Sequence, residues 1–119
     1  MNRPPRPAST ICAFRDGPTG PEVLMVQRGH TARFMGGAWV FPGGAVDAVD
    51  SAEPAVSVTA STAPAEMRPW LAAAVRELVE EVQVWITEPP LVLTQPEAFV
   101  KDEEVYATAA AFGRSFAVD

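Results

Sequence analysis

The stretch from Trp39 to Val84 constrains this chain more than any other. It opens with Trp39-Val40-Phe41-Pro42-Gly43-Gly44 and closes with Arg76-Glu77-Leu78-Val79-Glu80-Glu81. The closing piece and its lead-in from Pro69 read as a helix. Leu71, Ala74, Val75, Leu78 and Val82 fall at i, i+3, i+4, i+7 and i+11, one apolar stripe at helical spacing. Pro69 suits a first turn, where its missing N–H costs nothing. Glu77, Glu80 and Glu81 sit at i, i+3 and i+4, so three carboxylates share another face. Like charges at that spacing repel by roughly 0.2–0.5 kcal/mol per pair. A divalent cation turns this repulsion into chelation, because hard Mg²⁺ takes carboxylate oxygens and keeps waters and substrate phosphates as its other ligands. Taken alone, an acidic helical face is more often a solvated surface. Gly43-Gly44 changes the balance: it follows a strand-like run and lets backbone approach a ligand with no side chain in the way. An ordinary turn is the bland reading of that pair.

The two pieces together, in this order, resemble the Nudix box. Gly44 matches its first glycine, and after five residues Asp50 stands where glutamate is usual. Arg76, Glu77, Leu78, Glu80 and Glu81 match the second half. Residues 51 to 75 form a far longer spacer than the family's, and Gln83 replaces the closing glycine, so the box is split. Leu24-Met25-Val26-Gln27-Arg28, then Arg33-Phe34-Met35-Gly36-Gly37, then Phe41-Pro42-Gly43-Gly44 with Asp47 and Asp50, resembles the Nudix subgroup acting on coenzyme A and acyl-CoA.

The resemblance implies an α/β fold, a Nudix-like α/β/α sandwich with a mixed sheet. It implies metal-dependent hydrolysis of a nucleoside diphosphate linked to another moiety, with coenzyme A or acyl-CoA as the best guess. The products would then be 3′,5′-ADP and 4′-phosphopantetheine. Glu77 and Glu81 would hold Mg²⁺ or Mn²⁺ with help from the Gly43 carbonyl, and Glu80 would be another ligand or orient a water. Which of Glu77, Glu80 and Glu81 is the base stays open. Asp50 and Arg76 would pair to fix the loop on the helix. Arg28 and Arg33, with Gly44, are the candidates for gripping substrate, since guanidinium donates two parallel bonds to phosphate oxygens; surface arginine is the alternative. His30 in the same connection is more simply a solvated loop residue. A homodimer is a common arrangement in the family.

Composition narrows the field further. The 119 residues, 48% hydrophobic, suffice for one core. Nine basic against 15 acidic residues give a net charge of −6, which argues against binding a nucleic-acid polymer through its phosphates. One cysteine excludes an intramolecular disulfide, and Cys12, in an apolar strand-like run, reads as a buried structural thiol. No signal-peptide h-region or membrane-length apolar run occurs, so a cytoplasmic protein without membrane contact is expected.

Along the chain, residues 1 to 8 read as a flexible, proline-rich arm and residues 9 to 119 as the Nudix domain. Residues 9 to 15 and 22 to 28 read as strands of a hairpin turned by residues 16 to 21. Residues 51 to 68, rich in Ala, Ser, Thr and Pro, read as a surface loop inserted into the box. Gln83 carries a steric penalty in a left-handed cap, so the helix is expected to run on through Val84-Trp85-Ile86. Leu91-Val92-Leu93 could be a strand or an apolar loop. Residues 96 to 100 and 101 to 116 read as helical, with Thr94 or Asp102 as caps and Val105, Ala109, Phe112 and Phe116 as packing positions. With no closing strand evident, the chain is expected to be the N-terminal portion of a longer domain. Two rivals remain at this level: a Nudix-like module that binds a nucleotide without cleaving it, and an interaction domain with an acidic helix face.

Overall fold

The computed structural model describes residues 4–29, 36–91 and 103–118. Its architecture is mixed α/β. Strand β1 (Ala8–Thr10) pairs antiparallel with β6 (Gly43–Ala45), with Ser9 opposite Gly44. Strands β2 (Phe14–Gly17) and β3 (Gly20–Val23) make the hairpin, and β4 (Val26–Gln27) pairs with β5 (Trp39–Val40). A fourth sheet is mixed: β9 (Ser115–Ala117) lies between β7 (Thr59–Ala60), parallel to it, and β8 (Thr87–Glu88), antiparallel. The short helix α1 (Ala55–Val58), the long α2 (Arg68–Val82) and α3 (Glu103–Ala111) complete the described elements.

Helix α2 is central. It packs against β1 and β6, against the 3₁₀ turn Ala48–Ser51, and against α1 and α3. Burial therefore extends past the expected stripe: Ala72, Ala73, Val79 and Arg76 are buried as well as Ala74, Val75 and Leu78. Glu77, Glu80 and Glu81 occupy the edge that remains open. Proline sits in the helix's first turn, as its sequence position suggests.

Several readings are corrected. The helix does not run on through Val84-Trp85-Ile86. It stops at Val82, and Gln83 takes the left-handed conformation at φ 57°. Its backbone N–H and its side-chain amide both donate to the Val79 carbonyl, at 2.8 and 2.9 Å. These bonds offset the steric penalty that glycine would have avoided. The released segment then packs on the core, with Trp85 stacked on Phe116 at 6.0 Å between ring centroids.

Residues 101 to 116 are not one helix. α3 ends at Ala111, Gly113 at φ 65° reverses the chain, and β9 follows as a strand carrying the fully buried Phe116. Val105 and Ala109 are buried on α3 as expected, whereas Phe112 is 53% exposed. The segment 51 to 68 is not simply a surface loop. It supplies α1, β7 and a 3₁₀ turn at Ala65–Met67, and buries Ala55, Val58 and Thr59.

The strand expected over residues 9 to 15 divides at Ile11-Cys12-Ala13, because β1 and β2 join different partners. Cys12 is consequently exposed, not buried. The hairpin turn tightens to Pro18-Thr19, the residues on either side being paired. At the N-terminus, the Pro7 carbonyl accepts the Val46 N–H and Ala8 begins β1. Among the described residues, no helix is long and apolar enough to cross a membrane. The expectations for His30, Arg33, residues 92 to 101 and Asp102 lie outside the described residues.

Candidate active site

Helix α2 turns Arg76 inward and leaves three glutamates at its edge. The Arg76 side chain is 1% exposed, yet its guanidinium is fully engaged. Nε and Nη2 donate to the two oxygens of Asp50 at 2.8 and 3.0 Å, and Nη2 also donates to the Ala45 carbonyl at 2.9 Å. Nη1 donates to Glu77 Oε1 and Glu80 Oε2, both at 3.0 Å. One cation thus ties together β6, the 48–51 turn and two carboxylates of its own helix. Asp50 is fully buried and caps its own turn, Oδ2 accepting the Asp47 N–H at 2.8 Å. Being shorter than glutamate, it reaches Arg76 because that turn brings its backbone against α2.

A further member was not legible as a site residue. The hydroxyl of Tyr106, fully buried on α3, donates to Asp50 Oδ1. Tyr106 is the chain's one tyrosine. A buried tyrosine hydroxyl needs a partner, and that requirement was the available signal. Burial, then its bond to Asp50, hold the Tyr106 phenol above its usual range. Burial alone would lower the Arg76 pKa, but the hydrogen bonds and charge of Asp50, with Glu80 and Glu77, raise it instead.

The glycine pair approaches the helix for steric reasons. The Gly43 N–H donates to Glu81 Oε1 at 3.3 Å. A Cβ on Gly44 would lie 2.5 Å from the Glu77 carboxyl carbon, so that carboxylate rests against bare backbone. A Cβ on Gly43 would lie 2.2 Å from the Ser9 carbonyl oxygen, across the β1–β6 pair. The two alanine substitutions should therefore differ. Gly43→Ala meets backbone and should lower the unfolding midpoint markedly. Gly44→Ala meets the end of a side chain, so the fold should persist while Glu77 is displaced and site function falls. Denaturant midpoints compared with metal affinity separate the two cases.

Glu77 and Glu81 face each other closely enough to share a hydrogen bond. Loss of water raises the pKa of both, even though Glu81 lies at the exposed edge of the helix. Arg28 acts on Glu81 from the end of β4, its positive charge favouring the ionised form. A protonated carboxyl is thus favoured in the folded chain more than in the unfolded one. Between the ordinary glutamate value of 4.5 and the raised folded values, the folded chain binds more protons. Stability from these two groups accordingly falls as pH rises through that window. The melting temperature in EDTA should carry this slope, the Glu77→Gln/Glu81→Gln variant should have lost it, and added Mg²⁺ should flatten it.

The structure thus brings together Gly43, Gly44, Asp50, Arg76, Glu77, Glu80 and Glu81, with Arg28 beside them. Among the described residues, no three carboxylate, histidine or cysteine side chains converge as a metal cluster. The reason is visible in the hydrogen bonds: Arg76 holds Glu80 and one oxygen of Glu77. What fits a cation is the Glu77–Glu81 pair, two partly dehydrated carboxylates whose charges a divalent ion would neutralise.

A solved structure resembles this arrangement. The crystal structure of a NUDIX hydrolase from Alicyclobacillus acidocaldarius is similar at 28% sequence identity and a TM-score of 0.70, over 94% of this chain and 56% of that one. The fold is Nudix-like, and the likeness supports the Nudix family for this chain. The chain spans just over half the length of that protein. No protein-family model matches it.

Proposed function

We propose that this chain hydrolyses a nucleoside diphosphate linked to another moiety, in a reaction that depends on Mg²⁺ or Mn²⁺. The observation carrying the proposal is the Glu77–Glu81 pair set against the Gly43-Gly44 backbone and anchored through Arg76 to buried Asp50. Glu77 and Glu81, helped by the Gly43 carbonyl, would hold the ion. When bound, it supplies charge neutralisation of the diphosphate and activation of water. Glu80, held by Arg76, is placed to orient a water or to join the ligands after rearrangement. Arg28 offers its guanidinium to a phosphate. Arg76 and Asp50 are structural, keeping two glutamates at fixed positions on the helix.

Coenzyme A or an acyl-CoA is the substrate favoured by the segment from Leu24 to Asp50. A panel decides this: coenzyme A, an acyl-CoA, NADH, ADP-ribose and a diadenosine polyphosphate, each with Mg²⁺ or Mn²⁺ and followed by mass spectrometry. Release of 3′,5′-ADP and 4′-phosphopantetheine from coenzyme A supports the full reading. Cleavage of another member keeps the reaction and changes the substrate. A folded chain that binds these compounds and cleaves none would be a binding module.

A further inference from the structure

A concavity opens between the β2–β3 hairpin, Trp39 and the Val84–Ile86 segment. It is about 530 Å³ in volume, and its walls include Phe14, Val23, Met25, Trp39, Val84 and Ile86. Two of its aromatic rings are left to solvent, with Phe14 70% and Trp39 62% exposed. Its charged members, Arg15 and Glu22, bond each other at 2.8 Å. An apolar lining with a self-paired rim is no phosphate site. Exposed ring faces of this kind suit a flat, partly apolar group, which stacks on them without needing a specific hydrogen-bond pattern.

Three short stretches of chain tie the cavity's walls to the site. Trp39 precedes Gly43 by four residues, Val84 follows Glu81 by three, and Met25 precedes Arg28 by three. Gly43 and Glu81 are hydrogen-bonded, and Arg28 acts on Glu81. At about 3.3–3.6 Å per residue, each wall begins within roughly 10–14 Å of a site residue. Phosphates lying against the glutamates would leave an attached nucleoside's base within reach of the rings.

We propose that the concavity between the β2–β3 hairpin, Trp39 and the Val84–Ile86 segment is the nucleobase subsite, with Phe14 and Trp39 as stacking faces. The position of the phosphates rests on the hydrolase reading above; the apolar walls do not. Both rings are exposed, so replacing them spares the core.

Two measurements test the subsite, one of them independent of turnover. In coenzyme A hydrolysis, Phe14→Ala and Trp39→Ala should each raise KM about 5- to 100-fold with little change in kcat. Separately, ADP should quench tryptophan fluorescence saturably, inorganic diphosphate should not, and Trp39→Phe should abolish the quenching. Hydrolysis with KM unchanged in both variants would overturn the subsite and leave the hydrolase reading standing. Quenching lost in Trp39→Phe, without hydrolysis by the unaltered chain, would support the subsite and remove the hydrolase reading. Absence of both hydrolysis and quenching in the unaltered chain overturns the two together. If Trp39→Ala converts a dimer to a monomer in sedimentation and leaves ADP binding unchanged, the face joins two copies and the subsite is wrong.

Discussion

Asp50→Ala is expected to cost the folded state about 3–5 kcal/mol, the range for removing one partner of a buried ion pair. The loss is large because the carboxylate serves four donor groups from three residues at once. Without it, the Arg76 guanidinium keeps its burial but loses both bonds from Nε and Nη2 to that side chain. The Tyr106 hydroxyl and the Asp47 N–H lose their acceptor as well. A domain of this size has roughly 5–15 kcal/mol in total, so much of its stability rests on one residue. Tyr106→Phe should cost less, about 1–3 kcal/mol, since it removes one hydrogen bond and leaves the ion pair. Urea midpoints check both values. In a double-mutant cycle, Asp50→Ala with Arg76→Met should be less destabilised than the sum of the single changes, because the second removes the stranded charge. Additive costs would show that the two side chains act independently, contrary to this account.

Glu81→Gln carries the other large effect, and it falls on activity. Loss of a positioned acid–base group lowers turnover about 10²- to 10⁴-fold, and loss of a cation ligand compounds it. Stability should move the other way or stay level. Glu81 is held partly out of water, which raises its pKa, so replacing a dehydrated charge with a neutral amide removes a cost. The amide oxygen can still accept the Gly43 N–H. Steady-state kinetics beside a thermal melt tests the pair of expectations. A variant that loses activity and melting temperature together would place Glu81 in the scaffold and not in the chemistry.

What was legible in the chain followed from local chemistry. The periodic stripe and Pro69 located α2, and the spacing of Glu77, Glu80 and Glu81 placed their carboxylates along one edge. Asp50 and Arg76 were matched across a long insertion through the resemblance to the Nudix box, which implies that they pair; local chemistry alone did not join them. The rest depended on distant partners. β9 is three residues, Ser115-Phe116-Ala117, with too little alternation to register as a strand. It exists through Thr59 and Thr87, far away in sequence. The insertion's alanines gave no period, yet Ala55 is fully buried because α1 packs against α2, α3 and the 48–51 turn. Gln83 shows the limit of propensity. Its left-handed conformation is disfavoured in isolation and held here by the Val79 carbonyl, while Trp85 stacks on Phe116 beyond it. Tyr106 drew no reading from the sequence, and only the fold sets its hydroxyl on Asp50.

The most direct test of the central claim is coenzyme A turnover by the chain in EDTA, then with Mg²⁺ or Mn²⁺ restored in excess. The account predicts no cleavage in EDTA, cleavage at the diphosphate on adding metal, and no such recovery in Glu81→Gln. Equal cleavage with and without metal would contradict the assignment of the Glu77–Glu81 pair. So would full recovery by the Glu81→Gln chain.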